Sequence, residues 1–305
     1  MAIPLVLAVV VTNFVLIHVA PGDPIYFIAG EFGSPEYYEM MRARFGLDRP
    51  IHERLLTYLT NVIQGDLGHS LVFRQPVIDI IVERIPATML LMGTAISLSS
   101  LIGIALGVTS SLKPYSIGDN VATCISLVGH SLPVFWLAQM LLIVFALHLG
   151  LFPATGMTSL QFEYSGIEHV LDIIYHLALP AASLSISSLA LVTRLTRSSM
   201  LETLREDYVM TARAKGLNER RVVYVHALRN ALLPVVTVSG MRVGFMLAGA
   251  VLTETVYGWP GLGRLMYDSI YRRDYPILMG LFVVISVSVL VANLVTDLVY
   301  GLSLI

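Results

Sequence analysis

The chain is sparing with charge, lysine and cysteine, and each shortage removes a class of function. Charged residues fill 13% of 305 positions, and lysine occurs only at Lys113 and Lys215. Lys113 precedes a proline and Lys215 a glycine, so the Gly-x-x-x-x-Gly-Lys-Ser/Thr phosphate loop is missing. The chain therefore has no means of hydrolysing nucleotide by that chemistry. A single cysteine, Cys124, excludes an intrachain disulfide and a cysteine metal cluster. The eight histidines show no His-Glu-x-x-His or comparable spacing, so no metal site is expected. No Gly-x-Ser-x-Gly is present for a serine hydrolase, and no basic domain for nucleic acid.

What the chain has in excess is apolar surface. Hydrophobic residues make up 56%, and the mean hydropathy is +0.76, values foreign to a water-soluble domain. A bilayer-spanning helix needs about 20 consecutive apolar residues. Six runs qualify: Met1–Gly22, Ala87–Leu112, Val121–Leu147, Ile173–Thr193, Asn230–Thr253 and Tyr275–Thr296. None alternates with a two-residue period, so the expected class is an all-α membrane protein with six transmembrane helices. Met1–Gly22 lacks a basic leader and a small-residue cleavage site, so it reads as a span rather than a signal peptide; its missing charge points to a trimmed or misassigned start. Pro133 and Pro180 fall inside spans and mark expected kinks.

The loops assign an orientation. Residues 194–230 carry eight cations, at Arg194, Arg197, Arg205, Arg213, Lys215, Arg220, Arg221 and Arg229, against Glu202, Glu206, Asp207 and Glu219. A short cationic loop belongs on the cytoplasmic side. Both termini are then cytoplasmic, while 21–86, Gly150–Asp172 and Tyr257–Asp274 lie outside. Arg264, Arg272 and Arg273 count against this orientation but are outnumbered. In the outer 21–86 region, Ser34–Phe45, Ile51–Ile63 and Pro76–Arg84 read as short helices. The region is too small for a core of its own, and its expected place is over the outer end of the bundle.

Within the cationic loop, residue types point to a helix. Thr203 and Glu206 have capping-box spacing, Glu206 and Asp207 place negative charge at the helix start, and Arg213 and Lys215 place positive charge at its end. Gly216 follows where a left-handed cap is expected. Leu201, Leu204, Tyr208 and Ala212 form the expected apolar stripe. Thr211, Ala212, Ala214 and Gly216 are small and would let a partner approach closely. A helix of this kind can alternatively lie on lipid headgroups. Inside the spans, Arg242 falls about 16 Å into the fifth and calls for a wet cavity or an acidic partner. A substrate-pathway role is the preferred reading for Arg242, against a structural ion pair. His130 in the third span reads first as a packing or cavity residue.

The run Ala212-Arg213-Ala214-Lys215-Gly216-Leu217, followed by His226-Ala227-Leu228-Arg229-Asn230-Ala231-Leu232-Leu233-Pro234, resembles the cytoplasmic signature loop of ABC-importer membrane subunits. More narrowly it is similar to the dipeptide/oligopeptide permease family, and to the first of the two permease subunits in such systems. Phe45–Pro50, Gly65–Ser70, Pro133–Trp136, Phe152–Gly156 and Glu254–Gly263 carry the resemblance along the rest of the chain. One departure is local: the family motif opens Glu-Ala-Ala, and here Met210-Thr211-Ala212 stands there. A second is the longer distance from Gly216 to the Leu-Pro pair.

The resemblance implies a type I ABC importer permease fold, divided into a first helix at 1–20, an outer region at 21–86 and a five-helix core at 87–305. It implies a non-catalytic chain whose loop helix docks on one or two cytoplasmic ATPase subunits. ATP and magnesium would be bound by those subunits, with no cofactor in this chain. A second permease, distinct from this one, and an extracytoplasmic binding protein complete the implied importer of di- or oligopeptides in a bacterial or archaeal cell membrane. The implied coupling residues are Glu206, Asp207, Tyr208, Thr211, Ala212, Arg213, Ala214, Lys215 and Gly216. Two rival readings are a secondary transporter or channel without an ATPase, and a membrane scaffold that recruits a partner without transport. The first would need midplane acidic or broken-helix sites and an internal repeat.

Overall fold

The computed structural model describes residues 2–19, 34–44, 48–161, 164–244 and 250–303. Its helices are α1 (Ala2–Val19), α2 (Pro35–Arg44), α3 (Ile51–Ile63), α4 (Val77–Leu112), α5 (Ile117–Ser131), α6 (Val134–His148) and α7 (Ile167–Thr203). They continue as α8 (Asp207–Ala214), α9 (219–231), α10 (Leu233–Gly244), α11 (Val251–Val256), α12 (Leu262–Arg272) and α13 (Tyr275–Ser303). The ends of α6 (Leu142–His148) and the middle of α9 (Val222–Ala227) are wound as π-helix. The described residues contain no β-strand, only an isolated bridge between His69 and Pro76.

Among the described residues, Val77–Leu112, Ile167–Thr203 and Tyr275–Leu294 are long and apolar enough to cross a membrane, and Ile117–Gly129 with Val134–His148 forms a bent pair that can make a fourth. Two sequence expectations change. The third run is not one helix: α5 stops at Ser131, Leu132 is extended (φ −83°, ψ 133°), and Pro133 opens α6. The cause is Pro133, which disfavours helical backbone at the residue before it. Conversely, Pro76–Arg84 is not a separate helix. It is the first part of α4, which continues through Pro86 for 36 residues, about 54 Å. α7 likewise passes through Pro180 without interruption. The fifth run appears as α10 and α11, with 245–249 between them outside the described residues.

The chain divides into two compact units. The first comprises Met1–Thr88, Leu247–Val251 and Pro260–Val291. Its core joins Val10, Leu67, Val77, Ile80 and Ile81 to Leu262, Leu265, Ile277 and Leu281. Gly280 is the contact point of α13 on α4, since a Cβ there would lie 2.5 Å from Val77 Cγ1. The loop before α4 is pinned by Asp274, which is 1% exposed. Its carboxylate accepts from the Ser70 hydroxyl at 2.5 Å and from the Val72 amide at 3.2 Å. The Thr88 hydroxyl accepts from the Leu262 amide at 2.7 Å and so caps the start of α12.

The second unit comprises Met89–Met246, Leu252–Trp259 and Ala292–Ile305. α5 and α7 run antiparallel, with Asp119 of α5 meeting Arg197 of α7 and Gly129 meeting Ile186. Small residues bring α4 and α7 into backbone contact: a Cβ on Gly103 would lie 2.7 Å from Val192 Cγ1, and one on Gly107 2.5 Å from Thr196 Cβ. Asp172 of α7 holds the preceding loop through the Ser159 amide and hydroxyl, both at 2.7 Å. Buried Tyr257 donates to the Ala138 carbonyl at 2.9 Å, and its own carbonyl accepts from the Gly156 amide at 2.8 Å.

Candidate functional site: the α8 handle

The cationic loop folds back on the ends of two long helices of the second unit. Thr203 is the last residue of α7, and Leu204 and Arg205 turn the chain before Glu206 becomes extended (φ −68°, ψ 146°). Glu206 therefore occupies the N-cap position of α8, with no side-chain capping bond. This corrects the expected capping box: Thr203 belongs to α7, and its carbonyl, not its hydroxyl, accepts from the Glu206 amide at 3.1 Å. α8 itself is short, Asp207–Ala214, with Asp207 in its first turn and Arg213 in its last.

The C-terminus follows the expected chemistry. Gly216 has φ +75°, a conformation that an L side chain resists. The Gly216 amide donates to the Arg213 carbonyl at 2.9 Å and the Leu217 amide to the Ala212 carbonyl at 3.3 Å. These two bonds make a Schellman motif, and Leu217 packs on the same cluster as Ala212, the apolar contact that accompanies it.

One face of α8 is rooted and the other is bare. Val209 (0% exposed) and Ala212 (6%) enter a cluster with Val108 of α4, Met200 of α7 and Val222, Val223, Ala227 and Ala231 of α9. The expected stripe was rotated: Leu204 and Ala212 belong to the buried side, but Tyr208 does not. Tyr208 is 41% exposed, and its hydroxyl accepts from Asn230 Nδ2 at 2.7 Å. The physical reason is that Val209 can be buried whole, whereas the phenol would take a polar group into the cluster. Glu206, Asp207, Met210, Thr211, Arg213, Ala214, Lys215 and Gly216 all face outward, with Met210 55% exposed. The site where the family motif has glutamate thus presents an uncharged thioether to solvent.

Arg213 ties the handle to α9. Its Nη2 and Nε donate to the Glu219 carboxylate at 2.7 and 3.2 Å, and its Nη1 reaches the Leu204 carbonyl at 3.4 Å. The paired guanidinium holds the Glu219 carboxyl below the usual carboxylate range. Val209, Glu219 and Asn230 were not among the site residues expected from sequence. Glu219 could have been found as the acid at the start of α9, and Asn230 as the polar residue ending the cationic stretch. Two further residues expected at a site, His130 and Arg242, fall on the backbone of α5 and α10, but their side chains lie outside the described residues. No cluster of histidine, cysteine or carboxylate suited to a metal occurs among the described residues.

α8 is thus rooted in the second unit by two buried apolar side chains and leaves its other face exposed. Comparison with known proteins places the chain in a family: residues 99–303 match the binding-protein-dependent transport system inner membrane component, and residues 1–92 match the N-terminal model of the same group. The chain belongs to this family of ABC transporter permease subunits, membrane components of the inner membrane. It is 41% identical to the dipeptide transport system permease protein DppB of Escherichia coli K12, across 99% of this chain and 94% of the relative. It is 42% identical to the di/tripeptide permease DppB of Pseudomonas aeruginosa, at the same coverage. It is 40% identical to the oligopeptide permease AppB of Bacillus subtilis, across 99% of this chain and 95% of that one. A solved amino acid ABC transporter shares the fold, with a TM-score of 0.53 at 14% identity, covering 72% of this chain and 92% of that one.

Proposed function

We propose that this chain is a permease subunit of an ATP-driven, binding-protein-dependent importer of di- or oligopeptides. The observation that carries this reading is the near full-length identity of 40–42% to dipeptide, di/tripeptide and oligopeptide permeases. The complete importer then contains a second permease, ATPase subunits that bind ATP and magnesium, and an extracytoplasmic binding protein that delivers the peptide. Six helices cross the inner membrane with both termini and α8 on the cytoplasmic side. The 21–86 region and the α12 segment face outward, towards the binding protein.

In this reading the bare face of α8 seats in a groove of the ATPase, with Met210, Thr211 and Ala214 at the contact. The buried face supplies the linkage. When two ATPase subunits close on ATP, α8 is carried with them, and Val209 and Ala212 pass that displacement to Val108 at the end of α4 and Met200 at the end of α7. Packed interfaces of this kind switch between discrete arrangements rather than deform continuously, so the thrust selects between inward-open and outward-open states of the pathway. Arg213 stiffens the handle through Glu219. Arg242 and His130 are retained as pathway residues of this proposal, Arg242 for the carboxylate end of a peptide.

The test is uptake of labelled dipeptide into vesicles carrying the permease pair and ATPases, with binding protein outside and ATP inside or withheld. Uptake that needs both ATP and binding protein is expected. ATP-independent uptake would instead identify a secondary transporter or channel, and absence of uptake with a normally assembled complex would leave a scaffold.

A further inference from the structure

A cavity of about 310 Å³ opens between α5 and α7. Its lining is mixed. Arg197 and Arg194 of α7 stand towards the loop end, Ser126 and Thr193 supply hydroxyls, and Leu127 and Leu191 supply apolar surface. From Arg197 to Leu191 the lining covers about 9 Å of helix.

The charges at the two arginines are not equivalent. The Arg197 guanidinium donates from Nε and Nη2 to the two oxygens of Asp119, each at 2.7 Å, and its charge is balanced there. Among the described residues no carboxylate pairs with Arg194, one turn further in. The two hydroxyls below it are also unusual. Ser126 and Thr193 are 8% and 3% exposed, yet Ser126 Oγ and Thr193 Oγ1 have no hydrogen-bond partner. Other helical hydroxyls in this unit bond back to the preceding turn, as Ser131 does to Leu127 and Ser185 to Ala181, whereas Thr196 Oγ1, packed against Gly107 outside the cavity, also lacks a partner. Ser126 and Thr193 forgo that bond, and a buried hydroxyl left without one is costly.

An occupant that removes this cost must offer an anion to Arg194, acceptor oxygens to two hydroxyls, and an apolar part to Leu127 and Leu191. A phosphate group is the shared chemistry of the first requirement. Inorganic phosphate meets only the polar half, whereas a phospholipid meets all three, with its phosphodiester at Arg194 and its ester carbonyls accepting from Ser126 and Thr193. The acyl chains then leave across Leu127, which is 52% exposed. An amine headgroup would bring positive charge to Arg194, which favours an anionic lipid. We propose that the α5–α7 cavity holds the headgroup and glycerol region of an anionic phospholipid.

The test uses the full chain, purified with the subunits it assembles with, in bilayers of phosphatidylglycerol and phosphatidylcholine. Native mass spectrometry of released complexes should find phosphatidylglycerol retained on the wild type. Arg194→Gln should weaken that retention about tenfold, the worth of one charge-assisted contact. Ser126→Ala/Thr193→Val should weaken it as well while leaving the melting temperature unchanged or higher, because the variant removes orphaned hydroxyls. This second variant carries the test if Arg194→Gln fails to assemble. Retention of phosphatidylglycerol unchanged in both variants, equal retention of phosphatidylcholine, or no retained lipid would overturn the proposal. Displacement of the lipid by excess inorganic phosphate would overturn it in favour of a free-anion site.

Discussion

The two faces of α8 can be broken separately, and Val209→Ala breaks the rooted one. Val209 is fully buried against Val108, Met200 and α9, so the substitution removes two carbons from a packed cluster. At about 0.8 kcal/mol per buried carbon, with a further term for the cavity left behind, the loss is about 2 kcal/mol. Since 1.4 kcal/mol is a factor of ten, the fraction of time α8 spends detached from its root rises roughly thirtyfold. The outward side chains are untouched, so the ATPase should copurify in wild-type amount. ATP should still be hydrolysed, but fewer peptides should enter per ATP, because the thrust reaches a loosened seat. Ala214→Trp is the converse change: it adds bulk to the bare face and should lower ATPase copurification while leaving the fold intact. The assay is the ratio of peptide uptake to phosphate released in reconstituted vesicles, with complex stoichiometry measured in parallel. A Val209→Ala complex with wild-type abundance and a wild-type ratio would refute the reasoning, since the root would then transmit nothing.

Other consequences are independent of coupling. Gly107→Val should lower the melting temperature in detergent by an overpacking cost of about 1–3 kcal/mol, because its Cβ would lie 2.5 Å from Thr196 Cβ and 2.8 Å from the Thr193 carbonyl oxygen. Gly118→Ala, whose nearest neighbour would be 3.9 Å away, should not. Asp274→Ala should release the loop at Ser70–Phe73 and raise its protease sensitivity, since the carboxylate accepts from both the Ser70 hydroxyl and the Val72 amide. For Glu219 the folded carboxyl is held low by Arg213, so the pair's contribution is complete above the ordinary carboxylate range and is lost only as pH falls through the lowered value. Uptake should therefore show no Glu219-dependent change between neutral pH and the usual carboxylate pKa, a flat profile that Glu219→Gln should share.

Legibility from sequence tracked how local the cause was. Gly216 was readable because a left-handed cap depends on one residue and its neighbours, and the Schellman bonds around it followed. The start of α8 was not, because Thr203–Glu206 has capping spacing whether Thr203 begins one helix or ends another. That choice was made by Met200 and Leu204, which carry α7 one turn further into the apolar cluster. The rotated stripe has the same origin. Spacing alone admits both Tyr208 and Val209, and the ends of α4 and α7, remote in sequence, choose the residue with no polar group to bury. The break at Leu132–Pro133 was readable as an irregularity but not as an interruption, and the continuity of α4 through Pro86 shows why: a proline does not itself say whether the helix around it will stop. The Asp119–Arg197 pair, 78 residues apart, had no sequence signal beyond the presence of both charges.

Under the proposed coupling, these long-range contacts determine what α8 can move. Gly103 and Gly107 lie one turn apart on α4 and let it approach the α7 backbone at Val192, Thr193 and Thr196. Val108, the α4 side of the α8 root, is the next residue after Gly107, and Met200, the α7 side, follows Thr196 by one turn. The seat of α8 therefore adjoins the stretch where Gly103 and Gly107 bring α4 against the α7 backbone. Asp119 and Arg197 add α5 to the same end of α7 through a bidentate pair whose acid is buried. In the proposed coupling, a thrust on α8 would thus be received by three helices in contact near one end rather than by one loop. This is the arrangement a lever requires, because a handle fixed to a single flexible strand of chain would spend its motion in bending that strand.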